Sequence, residues 1–303
     1  MKYKEANPIK RRVIGYALGV AGIVAAIVLA RALSSGFYQN GEASAEPEAA
    51  AVVETAPEAE TEAETEAAPE ADETEAVSAL AEEEIYGLFA DAKLEAEEGA
   101  AGEEEYISPI DFERLWDINK HVYAWITVPG TSIDYPILQH PTNNSKYLEY
   151  NIDGSYGRPG CIYTENMNAL DFTDPNTVIY GHNMRNGTMF AQLHEFRNSD
   201  FFEKNREVVI YLPDRELRYY VFAAYVYDDR HLMYSFDFAD PNVYAAYLDA
   251  IYNRRDASAN IDRDSDVRAD DRIITLATCV RGQDDKRLLV QAVLDNPEAL
   301  EGL

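Results

Sequence analysis

The stretch Ile273-Ile274-Thr275-Leu276-Ala277-Thr278-Cys279, close to the C-terminus, decides how the rest of the chain is read. β-forming and apolar residues lead into one cysteine, and turn formers follow at Gly282 to Asp285. The pattern predicts a buried strand that delivers a thiol to its own end. Eight residues after the thiol, Arg287 opens a second predicted strand, Arg287-Leu288-Leu289-Val290-Gln291-Ala292-Val293-Leu294. A short polar loop between two strands would set thiol and guanidinium side by side. A cation there stabilises negative charge, on a thiolate or on the oxyanion formed when it attacks a carbonyl. Such a nucleophile needs a base, and Val178-Ile179-Tyr180-Gly181-His182-Asn183 brings a histidine to the mouth of another apolar strand.

Taken together, these segments resemble a sortase. The family signature Thr-Leu-x-Thr-Cys is met by Thr275, Leu276, Thr278 and Cys279, with an arginine on the next strand and a histidine after an earlier one. The surrounding text is similar to class B sortases. Trp125-Ile126, Pro129-Gly130-Thr131, Ile133-Asp134-Tyr135-Pro136-Ile137, Tyr147-Leu148, Ile179-Tyr180-Gly181-His182-Asn183-Met184 and Met189-Phe190 follow that family's order. The match runs from about Asp117 to Leu294.

The N-terminal segment 1–12 carries Lys2, Lys4, Lys10, Arg11 and Arg12 against Glu5. Residues 13–30 contain no charge and are rich in Val, Ile, Leu, Ala and Gly, near the lower limit for a membrane span. Cations before the span place the N-terminus in the cytoplasm and everything after Arg31 outside. A cleaved signal peptide is the competing reading, but the apolar run is long for one and no clean Ala-x-Ala follows. The resemblance likewise implies an uncleaved, single-pass anchor in the cell membrane of a Gram-positive cell.

Residues 31–105 read as a stalk. Between Gly41 and Glu105 stand 23 acids and one lysine, so about −22 of the net charge of −29 lies there. Such a segment buries too little apolar surface to offset its ordering entropy, and its like charges extend it. A flexible chain of that length spans on the order of 45 Å. Within it, Ile85, Leu88, Phe89 and Leu94 could form a short amphipathic helix, docked or free.

The catalytic domain is expected over 106–303. A helix is predicted at Asp111 to Asn119. Strands are predicted at Ala124 to Val128, Ile133 to Leu138, Cys161 to Thr164 and Thr177 to Tyr180. A helix over Met189 to Arg197 is followed by a hairpin around Pro213-Asp214. Asp240-Pro241 opens a helix running to about Arg254. With the last two strands, about eight strands and few helices suit a mainly β fold, a closed barrel. The resemblance implies the eight-stranded sortase barrel, with the 241–254 helix in the connection between its sixth and seventh strands.

Of the two cysteines, Cys161 in Gly160-Cys161-Ile162-Tyr163 reads as a small core hydrophobe, and Cys279 as the nucleophile. His121, His140, His194 and His231 sit in polar or loop-like contexts outside the family pattern, which leaves His182. Arg287, followed by Leu-Leu-Val, fits the family's arginine better than Arg281 in the loop after Cys279. No metal-ligand spacing or cofactor motif is present, and the acidic balance argues against nucleic acid as a partner.

The residue types support acyl transfer through a cysteine: attack by Cys279, oxyanion stabilisation by Arg287, and proton transfer by His182. The resemblance implies cleavage after threonine in the C-terminal sorting signal of surface proteins, then transfer to a peptidoglycan amine. It also implies substrate contacts at Asn144, Leu148, Tyr180 and Thr278. Ala277 and Val280 stand where class B members often have serine and an acidic residue, and both are expected near the substrate. Pilin polymerisation, a thiol hydrolase releasing to water, and a non-catalytic surface-binding module are the alternatives.

Overall fold

The computed structural model describes residues 82–94 and 106–302, all within the unit Ala68–Leu303. The expected tail 1–12 and span 13–30, and most of the 31–105 stalk, lie outside the described residues. Among the described residues, no helix is long and apolar enough to cross a membrane.

The described residues form nine strands in order: β1 (Val122–Thr127), β2 (Asp134–Gln139), β3 (Ile162–Thr164), β4 (Asn176–Tyr180), β5 (Glu207–Tyr211), β6 (Glu216–Asp228), β7 (Asn260–Ile261), β8 (Ile273–Val280) and β9 (Gln283–Leu294). Their order in the sheet is β5-β1-β2-β3-β4-β8-β9-β6, and pairing of β5 with β6 closes the ring. Eight strands thus form the expected closed barrel, and the two-residue β7 hangs on the edge of β6. The β2–β3 and β4–β8 pairs are parallel, the others antiparallel. Closure leaves no long strand edge unpaired.

Helices are peripheral: α1 (82–89), α2 (Phe112–Ile118), α3 (Lys146–Glu149), α4 (Ser199–Lys204), α5 (Leu232–Ser235) and α6 (Pro241–Tyr252). α6 starts as its sequence predicts, with the Asp240 carboxylate accepting from the Asn242 N–H and Pro241 in the first turn. Alternation along β8 divides its side chains between two apolar clusters. Ile274, Leu276 and Val280 join Leu288, Val290 and Ala292 in the barrel interior. Ile273 and Ala277 face outward with Val178 and Leu289, where Tyr244, Tyr247, Leu248 and Ile251 of α6 cover them. Polar residues fix this outer layer. Gln291 donates to Tyr247 Oη (2.7 Å) and Thr275 Oγ1 (2.9 Å), and Tyr225 donates to Gln291 Oε1 (3.0 Å).

Three sequence expectations change. Residues 82–94 belong to the folded unit, although composition groups them with the stalk and places the domain start at 106. Ile85, Phe89 and Ala92 are buried in the barrel's own core cluster, with Phe89 edge-on to Trp125 and Tyr135. The helix expected from Met189 begins as a 3-10 helix at Ala191, because Met189 takes a left-handed φ of 56°. The polar loop after Cys279 shrinks to a turn at Arg281-Gly282, and β9 starts at Gln283.

Candidate active site

Outward-facing positions of β8 lie under α6 from Ile273 to Ala277, and the next one, Cys279, is exposed. The ladder pairs Cys279 with Arg287 on β9. On the other flank β4 runs parallel to β8, with Tyr180 opposite Ala277 and Gly181 N–H donating to Ala277 O at 3.2 Å. The ladder ends there, but Thr278 Oγ1 donating to Gly181 O (2.8 Å) and Asn183 Nδ2 donating to Cys279 O (3.0 Å) keep the residues on either side of His182 against the end of β8. His182, Cys279 and Arg287 therefore occupy one row of the outer face, the first that α6 leaves open.

Each member of the row is held by its own contacts. His182 is half-buried and donates from Nε2 to Leu148 O, at 2.7 Å, in α3. Burial holds its imidazole below the ordinary range; that hydrogen bond opposes the shift and the nearby Arg158 charge adds to it. The neutral ring thus prevails at neutral pH, the form that can take a proton from a thiol. Between the Cys279–Arg287 and Val280–Gln283 pairs, β9 carries Asp284, Asp285 and Lys286 without counterparts on β8. The bulge turns carbonyls toward the guanidinium, and Arg287 Nη1 donates to Asp284 O and Lys286 O, both at 2.8 Å. A fork so anchored keeps its remaining N–H groups in fixed directions.

Gly181 is needed for space. A Cβ there would lie 2.5 Å from Ile162 Cδ1 and 2.7 Å from Phe190 Cγ. Gly160 lies under the His182–Leu148 contact with φ +68°, and its Cβ would come within 2.9 Å of Leu148 O. Cys161 is buried, its thiol donating to Tyr150 O at 3.3 Å, and burial pushes that thiol well up. Both cysteines are free, and only Cys279 reaches the surface.

The four expected substrate-contact residues are placed unequally. Tyr180 lies one row before Cys279, opposite Ala277, and is partly buried, stacked on Tyr163 at 5.4 Å. Leu148 is exposed, and its backbone oxygen is the one that His182 engages. Asn144 accepts from Asn166 N–H at 2.9 Å. Thr278 is buried, and its hydroxyl donates to Gly181 O at 2.8 Å, tying β8 to the end of β4. Val280 also departs from expectation. Its side chain is packed in the barrel interior, since the position is one step out of phase with Cys279. Two residues at the row went unassigned in the sequence: Asn183 and His194 both reach Cys279 O, at 3.0 and 3.1 Å. His194 carries no local signal of this, being 85 residues from the cysteine in sequence.

Comparison with known proteins agrees with this geometry. A family model described as the sortase domain matches residues 126–295. The chain belongs to the sortase family. It is 32% identical over 191 residues to sortase B of Staphylococcus aureus, spanning 62% of this chain and 76% of that one. An X-ray structure of Clostridium perfringens sortase B superposes with a TM-score of 0.54 at 33% identity, covering 60% of this chain and 98% of that one. A Staphylococcus aureus sortase B–substrate complex matches at 28% identity and a TM-score of 0.55, over 73% and 96% of the two chains. This sortase is accordingly a cysteine transpeptidase of the class B kind.

Proposed function

We propose that this sortase cuts the C-terminal sorting signal of surface proteins after threonine and transfers them to a peptidoglycan amine, from an anchor in the cell membrane. The observation that carries the reading is the row His182–Cys279–Arg287 at the one exposed cysteine. The Cys279 thiolate adds to the scissile carbonyl, and Arg287 stabilises the oxyanion. Collapse of the tetrahedral species breaks the C–N bond, with His182 giving its proton to the leaving amine. The thioester then takes an incoming amine, whose proton returns to His182, and Cys279 leaves as thiolate. The sortase B–substrate complex of the Staphylococcus aureus relative supports binding of a sorting-signal substrate. Leu148, exposed beside His182, and the partly buried Tyr180 are the surfaces for its side chains. Asn144 lies beside α3, and Thr278 would act through the backbone that it ties down. The uncharged stretch 13–30, after the basic segment 1–12, supports the anchor, with the catalytic unit outside the cell.

The test uses the full chain with quenched fluorescent peptides bearing variants of the class B sorting signal, with and without triglycine or a diaminopimelate-containing peptide. The expected result is amine-ligated product that Cys279→Ala abolishes and Arg287→Ala slows about 10²–10³-fold. Acid as the sole product with every amine would replace the transferase with a hydrolase. Equal signals from wild type and Cys279→Ala would overturn the assignment of the nucleophile.

A further inference from the structure

We propose that Asn183 and His194 are positioning residues that hold the Cys279 carbonyl and thereby set the peptide plane that presents the thiol. The inference rests on Cys279 being the nucleophile. Asn183 Nδ2 lies 3.0 Å and His194 Nε2 3.1 Å from Cys279 O, and the two nitrogens are 3.1 Å apart. Asn183 Nδ2 donates to Cys279 O, and the His194 ring nitrogen closes the triangle. It donates to that carbonyl when its proton is on Nε2 and accepts the second Asn183 N–H when it is on Nδ1, so it holds the carbonyl either directly or through Asn183.

The backbone around this carbonyl explains why two side chains are needed. The β4–β8 ladder gives Ala277 O the Gly181 N–H, and its next step would give Cys279 O the backbone of Asn183. Asn183 is instead bridged to Met189 in the turn after His182. On the other side, the β8–β9 register breaks between Cys279 and Val280. Regular pairing thus ends before the thiol-bearing residue on the β4 flank and directly after it on the β9 flank. Asn183 and His194 replace it, the first from the residue next to His182 and the second from the Ala191–Arg197 3-10 helix. The tether therefore joins the histidine's loop to the cysteine's strand. Without it the Cys279–Val280 peptide could rotate and carry Sγ out of line with His182 and Arg287. Errors of about 1 Å in such a constellation cost on the order of 10²-fold in rate.

Two readouts on the full chain test this. Cys279-Val280 is the single Cys-Val step in the sequence. Labelling cysteine with carbonyl ¹³C and valine with ¹⁵N therefore isolates that one peptide group by NMR. His194→Leu and Asn183→Ala should shift its carbonyl resonance, and His194→Gln, which keeps an N–H donor within reach, should restore it. In peptide transfer, His194→Leu and Asn183→Ala should each lower kcat about tenfold with KM within twofold of wild type, and His194→Gln should recover most of the loss. Alkylation of Cys279 by iodoacetamide should stay within about twofold, since the tether orients the thiol without covering it. An unmoved carbonyl resonance in both variants, or an unchanged kcat in both while wild type shows Cys279-dependent transfer, overturns the proposal and leaves the transpeptidase standing. Wild-type activity that survives Cys279→Ala would instead remove the nucleophile on which both rest.

Discussion

Burial holds the imidazoles of His182 and His194 below the ordinary histidine range, against the pull of their hydrogen bonds to Leu148 O and Cys279 O. Unfolded, both rings titrate near about 6.5. Folded, they lose their protons at lower pH, so between the two values the unfolded chain binds more protons. Stability therefore rises with pH through that window, falls as pH drops below about 6.5, and levels off below the folded values. Thermal unfolding should give a lower midpoint at about pH 5.5 than at about pH 7.5, and His194→Gln should narrow the gap. A gap of the same size in His194→Gln would show that His194 binds its proton equally in both states. At this scale His182, Cys279 and Arg287 were legible because each stands in a local motif. Asn183 and His194 were not, because their role exists only where two distant backbones meet at one carbonyl. The need for Gly181 was not legible either, because it comes from the pressure of Ile162 and Phe190, which the fold brings to it.

Among the elements, α6 determines where the site lies, because it covers the outer face of β8 and β9 up to the row before Cys279. Its start was readable from Asp240-Pro241; its buried face is Tyr244, Tyr247, Leu248 and Ile251, whereas the apolar Ala246 and Ala250 on the same turns are exposed. The bond network that seats it was not readable, since Gln291 is one polar residue in an apolar run whose partners Thr275, Tyr225 and Tyr247 come from three other elements. Gln291→Leu keeps the bulk but leaves two tyrosine hydroxyls and one threonine hydroxyl short of a partner in a dry layer. The expected cost is about 2–4 kcal/mol. For a folded unit of this size that lowers the thermal midpoint by roughly 5–12 °C. Calorimetry showing a change below about 1 °C would mean that the network does not hold α6 in place.

For the whole molecule, barrel closure was legible from strand count and resemblance, but the extent of the folded unit was not. The acidic composition running through 41–105 hides a docking helix, because two large apolar side chains weigh little among so many glutamates. What decides the matter is the surface that receives them: Phe89 packs on Trp125 and Tyr135, and Lys93 pairs with Asp134 at 2.6 Å. α1 also meets the loop that follows His182. Tyr86 donates to Thr188 Oγ1 at 2.8 Å, and Asn186 donates to Glu82 at 2.5 Å. The segment 82–94 is thus both a cover for the barrel and a brace for the turn between His182 and the Ala191–Arg197 helix. Phe89→Ala in the full chain should cost about 3 kcal/mol in denaturant unfolding. A chain beginning at residue 106 should lose more, because Ile85, Ala92 and the ion pair go as well and Tyr135 becomes wet. If α1 braces the loop, the shortened chain should also transfer peptide more slowly at temperatures where it is fully folded. Equal unfolding midpoints for the full and shortened chains would make the docked helix energetically idle. Unequal midpoints with equal transfer rates would confine its role to stability.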